Sequence, residues 1–208
     1  MGVSGELGAS RSLRRIAVIG GVGSGKTTLA ATIAGQLGMP HVELDGLRYE
    51  ADWKPVADKE FHSRVAQYAG TDRWVIDGNY EATRDIVWVR ADLVVWIDYS
   101  LPVIISRFVR RTIRRLLRRE VFSAGKRERI SRLFGRHSML LWSIRSHGPR
   151  REKYEGLVAS RRYAHAEVVR LRRPSATDEW LAKFVASNSQ LHRSSRGTNG
   201  IEPRPSSP

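Results

Sequence analysis

Gly20-Gly21-Val22-Gly23-Ser24-Gly25-Lys26-Thr27 is the stretch on which the reading of this chain turns. It satisfies G-x-x-x-x-G-K-[ST]. In that pattern glycines let backbone N–H groups turn inward around a polyphosphate, a lysine reaches the outer phosphates, and a hydroxyl ligates Mg²⁺. Lys26 and Thr27 are those two side chains. Gly21, Val22, Gly23, Ser24, Gly25 and Thr28 complete the expected nucleotide-binding set. The flanks agree. Ile16-Ala17-Val18-Ile19 is an apolar run of strand length, and Leu29, Ile33 and Leu37 follow at helical spacing before Gly38 and Pro40 stop the pattern. A helix opening directly after the loop adds its free N–H groups and positive dipole end to the same place. A flexible glycine turn accounts for neither Lys-Thr nor the strand and helix around it. The stretch is read as strand, loop and helix binding a nucleoside triphosphate.

Working outward, 208 residues suffice for one sizeable domain and its core. The absence of cysteine excludes disulfides, thiolate metal sites and thiol catalysis. Six histidines are scattered without an H-E-x-x-H pair and are read as surface or packing groups. No apolar run reaches membrane-spanning length and the first residues lack a secretory core, so no membrane partner is expected and the cytoplasm is the default compartment. A net charge of +15 by itself favours polyanionic partners, whether nucleotides, nucleic acid or an anionic membrane surface, without choosing among them.

Along the chain, Pro40–Asp45 reads as a second strand, Leu47–Pro55 as a polar, aromatic-bearing connection, and Asp58–Ala69 as a helix with Asp58 as N-cap. Asp72–Tyr80 reads as a third strand ending in a turn, 81–90 as a short helix, and Ala91–Asp98 as a strand buried on both faces. A long helix is expected from Pro102, a break over Arg119–Arg127, a helix over 127–146 ending before Gly148-Pro149, and another over 150–162. Ala166–Leu171 is the fifth strand and Asp178–Val185 the last helix. Residues 1–14 and 187–208 are expected to be disordered, leaving one domain over 15–186. Strands alternating with helices imply an α/β fold, a parallel sheet with helices on both faces.

Ligands of such sheets bind at the carboxyl ends of the strands, where this chain places Asp45, Asp77, Asp98 and Arg172. Asp77, after Trp74-Val75-Ile76, has the layout of a carboxylate that holds Mg²⁺ through water, together with Thr27. Asp45 is the candidate base on the acceptor side. Each could instead cap a turn, since Asp-Gly occurs at both places. Asp98 is read as structural, and Arg172 as a further nucleotide contact. Arg107, Arg110, Arg111, Arg114, Arg115, Arg118 and Arg119 form a stripe with no acid until Glu120. Arg107 and Arg111 are expected to stabilise charge on the transferred phosphoryl from a lid spanning about 107–150. Alternatively the stripe tracks a nucleic-acid backbone. Arg150 and Arg151 could join either. Trp53 stacks on an acceptor or covers the sheet edge, and Met139–Trp142 read as core.

GGVGSGKTTLA, HVELDGL, DRWVIDGNY, ADLVVWIDYSLP and the arginine helix, over residues 14–185, resemble the adenylate-kinase-like proteins known as DNA topology modulation proteins. The resemblance implies a three-layer P-loop NTPase fold with a five-stranded parallel sheet in order 2-3-1-4-5, an arginine-rich helical lid, and binding of ATP and Mg²⁺. The resemblance leaves the acceptor open. The arginine lid and strand-end acids favour a Mg-ATP-dependent phosphotransferase acting on a small acceptor. The +15 charge and the arginine stripe support the alternative, a nucleotide-regulated DNA- or RNA-binding protein. Adenylate kinases carry Asp-Gly-Phe-Pro-Arg where this chain has Asp77-Gly78-Asn79-Tyr80-Glu81, so Arg84 is the candidate substitute for the acceptor-binding arginine. No Asn-Lys-x-Asp guanine motif is present, which favours ATP.

Overall fold

Residues 13–117 and 139–196 are described by the computed structural model, although the side chains of Asp52, Arg111, Thr112, 114–117, 139–143 and 188–196 are not. Five strands form one sheet: β1 (Arg15–Gly20), β2 (His41–Glu43), β3 (Trp74–Asp77), β4 (Leu93–Ile97) and β5 (Glu167–Leu171). Every pairing is parallel and the order is β2-β3-β1-β4-β5, as the resemblance implies. β1, β3 and β4 are apolar without alternation because both of their faces are covered. The period-2 geometry of a strand then divides each between two cores. Ala17, Ile19, Ile76, Val94 and Trp96 face one core, and Ile16, Val18, Val75, Leu93 and Val95 the other.

α1 (Lys26–Leu37) buries Leu29, Ile33 and Leu37, the face read from the sequence. α2 (Leu44–Arg48), α3 (Asp58–Ala69), α4 (Glu81–Trp88), α5 (Leu101–Leu117), α6 (Met139–Ala159) and α7 (Pro174–Arg196) complete the layers. No helix among the described residues is long and apolar enough to cross a membrane.

Four expectations are corrected. The second strand stops at Glu43, and Asp45 lies in α2 rather than at a strand end. Among the described residues β2 is an edge strand whose one partner, β3, ends opposite Glu43 at Asp77, so no ladder remains for Leu44 and Asp45. Gly78 ends that partner with φ 145°, and a Cβ there would lie 2.6 Å from Leu44 Cβ. Ala57, not Asp58, caps α3, because the Asp58 carboxylate accepts instead from Arg48 Nη1 at 2.7 Å. α6 runs unbroken through Gly148-Pro149. Gly148 has no Cβ to meet the proline ring, while His147 Nε2 pairs with the Tyr99 carbonyl at 2.9 Å and Tyr154 is buried, holding the helix on both sides. Finally, α7 starts at Pro174, a residue suited to a first turn, and continues past Ser187 to Arg196. No glycine or proline interrupts it before Gly197. The expected disorder of 1–12 and 197–208, and the break over 119–127, lie outside the described residues.

Candidate active site

The loop between β1 and α1 is shaped by close approach. A Cβ at Gly20 would lie 2.7 Å from Ser24 Oγ and 3.0 Å from Ile97 Cβ. Gly23 and Gly25 take left-handed φ values of 77° and 94°, which side-chain-bearing residues rarely adopt. Ser24 N–H donates to the Gly21 carbonyl at 3.2 Å, closing the turn. The Ser24 hydroxyl is buried beneath it without a hydrogen-bond partner among the described residues. α1 has no side-chain cap and no acid in its first turn, so its opening N–H groups face the loop uncompensated. Lys26 is its first residue, and Thr28 stands exposed two positions on. This donor set suits a polyphosphate: left-handed glycines, helix N–H groups and a lysine.

Thr27 and Asp77 are brought together. The Thr27 hydroxyl donates to Asp77 Oδ2 at 2.6 Å, and His41 Nε2 lies 3.1 Å from Asp77 Oδ1. Asp77 is buried, so the carboxylate is fixed from both sides. A hydroxyl and a carboxylate beside a phosphate loop are the hard oxygen donors that Mg²⁺ takes, with phosphate and water completing its shell. Among the described residues no cluster of three or more acids and histidines competes as a metal site. His41, read from the sequence as a surface or packing group, is thus in contact with the candidate metal-holding carboxylate. It opens β2 opposite Val75, and nothing in its local pattern announces the reach to Asp77.

Asn79 was also missed. Its Oδ1 accepts from Gly20 N–H at 3.1 Å and its Nδ2 donates to the Gly20 carbonyl. β3 has ended by then, and the Asn79 amide substitutes for the backbone of the next strand residue.

Beside the loop, between β1, β3, α4 and α6, is a cavity of about 320 Å³. Ile76, Leu44, Val87, Trp88 and Tyr154 supply apolar wall; Asn79, Tyr80, Glu81, Arg84, Arg150 and Lys153 supply polar groups. Arg84, the substitute suggested by the sequence, is among the residues lining this cavity. Asp45 is exposed and outside the cavity lining, but the Tyr80 hydroxyl donates to its Oδ1 at 2.7 Å. Burial and the Asp45 carboxylate together push the Tyr80 phenol well above its ordinary value, so it keeps its proton.

Two arginines overlie the loop. Arg107, whose guanidinium sits over the Tyr99 ring at 5.5 Å, has Nη2 3.0 Å from where a Gly25 Cβ would be. Arg150 has Nη1 3.8 Å from the corresponding point at Gly21 and donates to Ser146 Oγ at 3.0 Å. Arg111 lies on α5 with its side chain outside the description, as do those of Arg114 and Arg115; Arg118 and Arg119 lie outside the described residues. Arg172 is exposed one residue past β5, at the same sheet edge. Asp98 is structural: it accepts from Arg170 at 2.6 and 2.9 Å and pairs with Arg151 at 3.3 Å. Trp53 is 45% exposed, edge-on to Tyr49 at 5.6 Å. The side chains of Met139–Trp142 lie outside the description.

Comparison with protein-family models finds no match, and neither does comparison with curated proteins. Among solved structures, the chain is similar to a gluconokinase from Sinorhizobium meliloti 1021, with 17% identity, 91% of this chain and 99% of that one covered, and a TM-score of 0.49. It is similar to a shikimate kinase from Bacteroides thetaiotaomicron, with 16% identity, 86% and 99% covered, and a TM-score of 0.49. A shikimate kinase from Acinetobacter baumannii in complex with shikimate gives 16% identity, 92% and 97% covered, and a TM-score of 0.47. Likenesses this distant assign no substrate to this chain.

Proposed function

We propose that this chain is a Mg-ATP-dependent phosphotransferase, a P-loop kinase that moves a phosphoryl group to a small acceptor bound in the cavity between α4 and α6. One observation carries this reading: Arg150 lines the acceptor cavity and also lies over the phosphate loop at Gly21. A binding module or a simple hydrolase has no need of a walled cavity sharing a guanidinium with the donor loop.

Bound ATP supplies the phosphoryl group, and Mg²⁺ offsets its charge. The loop N–H groups and Lys26 hold the phosphates, while Thr27 and Asp77 hold the metal, with His41 fixing the carboxylate. Arg107 and Arg150 place positive charge on two sides of the loop, where charge develops during transfer. Thr28 and Arg172 complete the nucleotide contacts, and Arg111, expected from the sequence to add charge beside Arg107, sits one turn further along α5 with its side chain outside the description. Asp45 positions the acceptor through Tyr80: the phenol stays protonated and donates to Asp45, which leaves its oxygen lone pairs to accept from the acceptor's hydroxyl. Trp88 and Tyr154 keep water from the far wall. Catalysis in this scheme is positioning and electrostatics, which is most of what phosphoryl transfer asks of a protein.

The missing guanine motif supports ATP, and ATP supply supports a cytoplasmic setting. The resemblance to DNA topology modulation proteins supports the kinase fold more directly than a DNA ligand. Most of the arginines that would track a nucleic-acid backbone fall outside the described side chains, and no described geometry favours that alternative. The test is ADP release from Mg-ATP across hydroxylated metabolites, nucleosides, nucleotides and duplex DNA, wild type beside Lys26→Ala. Stimulation by a small acceptor, abolished in the variant, is expected. Equal turnover in the variant, or stimulation by DNA alone, would overturn the proposal.

A further inference from the structure

Arg107 and Arg150 reach the phosphate loop from different helices, α5 and α6, yet one buried residue is in contact with the supports of both. Tyr99 lies two positions past β4 and two before α5. Just before it, Asp98 N–H donates to the Leu171 carbonyl at 2.9 Å, carrying the pairing of β4 with β5 one step beyond the strand. The Tyr99 backbone therefore starts from a fixed point. Its side chain is 2% exposed, and its hydroxyl pairs with Thr177 Oγ1 of α7 at 2.6 Å. The residue is held at both ends.

Its ring serves Arg107. The guanidinium lies over the ring at 5.5 Å, with Nη2 3.0 Å from where a Gly25 Cβ would be. An aromatic face attracts a guanidinium without neutralising it in the way a carboxylate would. The Tyr99 carbonyl serves Arg150. His147 Nε2 lies 2.9 Å from that carbonyl, which can only accept, so this nitrogen carries the proton and donates. Three residues on, and so on the same side of α6, Arg150 has Nη1 3.8 Å from the corresponding point at Gly21. Gly21, Tyr99, Ile104, His147 and Arg150 all border one cavity of about 20 Å³, with space for no more than a water. A tyrosine kept only for packing needs a core for its ring and a partner for its hydroxyl. That does not account for one residue meeting both helices that bear the loop arginines.

We infer that Tyr99 is a positioning residue that sets both arginines over the phosphate loop, Arg107 through its ring and Arg150 through His147. The two charges share one point of reference, so they arrive at the loop together. Their action on the transferred phosphoryl rests on the phosphotransfer reading; their common support does not.

Double-mutant cycles test the support. Tyr99→Leu removes the ring and keeps the carbonyl, and kcat for ADP release from Mg-ATP with the stimulating acceptor should fall roughly tenfold. Tyr99→Phe keeps the ring and should recover most of that loss. Tyr99→Met takes the place of the leucine variant if the latter does not fold. His147→Ala should also lower kcat roughly tenfold, and His147→Gln, whose amide still donates, should recover part of it. Tyr99→Leu should cost nothing further in an Arg107→Ala background, and His147→Ala nothing further in Arg150→Ala. Thermal unfolding beside each assay records lost packing, which a purely structural tyrosine would show equally in both backgrounds. If the wild type shows no turnover with any acceptor, the phosphotransfer reading fails, and the same cycles are read in Mg-ATP affinity by calorimetry. Coupling there would uphold the common support without the kinase. Losses that simply add in either cycle would overturn the inference and leave the kinase standing.

Discussion

Replacing Asn79 with alanine should loosen the phosphate loop more than any change to the loop's own surface. The Val18 carbonyl accepts from Gly78 N–H at 3.2 Å, so Gly20, two residues on, turns its N–H and carbonyl to the same side. β3 has ended there, and the Asn79 amide satisfies both groups. Alanine leaves them without protein partners beside a buried backbone. Each unsatisfied buried group costs about 1–3 kcal/mol; with water entering from the cavity, a total of about 2 kcal/mol is expected. For a domain of this size that lowers Tm by about 4–8 °C. If the same free energy is what holds the loop ready, Mg-ATP affinity falls about thirtyfold. Asn79→Asp separates shape from chemistry: it still accepts from Gly20 N–H but sets a carboxylate oxygen against the Gly20 carbonyl, and should be at least as damaging. Calorimetric titration with Mg-ATP and thermal unfolding of the three proteins give both numbers. Unchanged affinity and Tm in Asn79→Ala would refute the reasoning, because the bridge would then be contributing nothing.

Other expectations follow from the same geometry. Gly25→Ala should destabilise by about 1–3 kcal/mol, since it demands a φ of 94° from alanine and brings a Cβ to 3.0 Å from Arg107 Nη2; thermal unfolding measures it. Thr27→Val keeps the shape but removes the hydroxyl on Asp77, and should raise the Mg²⁺ concentration for half-maximal turnover at least about tenfold. Arg150→Ala should lower kcat by about a hundredfold or more with little change in the circular dichroism spectrum, read in the ADP-release assay. Burial pushes Asp92 up, but the Arg15 guanidinium and the N–H groups of Arg14 and Arg15 outweigh it and hold the carboxyl below its usual 3.8. A depressed folded value contributes stability above the unfolded pKa that is lost as pH falls through the folded one. Asp92→Asn should therefore lower Tm at pH 7, by about 1–2 kcal/mol of stability, with the difference from wild type closing below about pH 4.

The sheet was readable because each of its strands announces itself locally. β1 and β4 are short apolar runs, and their parallel pairing follows from the helices between them. The loop was readable because Gly23 and Gly25 sit where only glycine is comfortable and Lys26-Thr27 follows at once. What escaped depends on partners far along the chain. Whether residue 45 extends a strand is decided by where β3 stops, more than thirty positions later. Proline inside α6 breaks the local rule, and the helix persists because His147 and Tyr154 are held by the rest of the domain. Asn79 looks like a turn residue until its amide is seen against Gly20. Arg84 was legible as a position, but its cavity needed α4 and α6 to be placed side by side.

Asn79 and Arg150 both reach the end of β1, one from just past β3 and one from α6. Most of the remaining cavity wall (Arg84, Val87, Trp88, Lys153, Tyr154) is carried on α4 and α6, away from the loop and α1. On the proposed reading the chain is in effect a fixed socket with an interchangeable fitting. Changing a few side chains on two helices alters what is received, while the grip on the phosphate donor is left as it was. A single fold of this plan can thus be retuned from one acceptor to another without rebuilding the machinery that handles the donor.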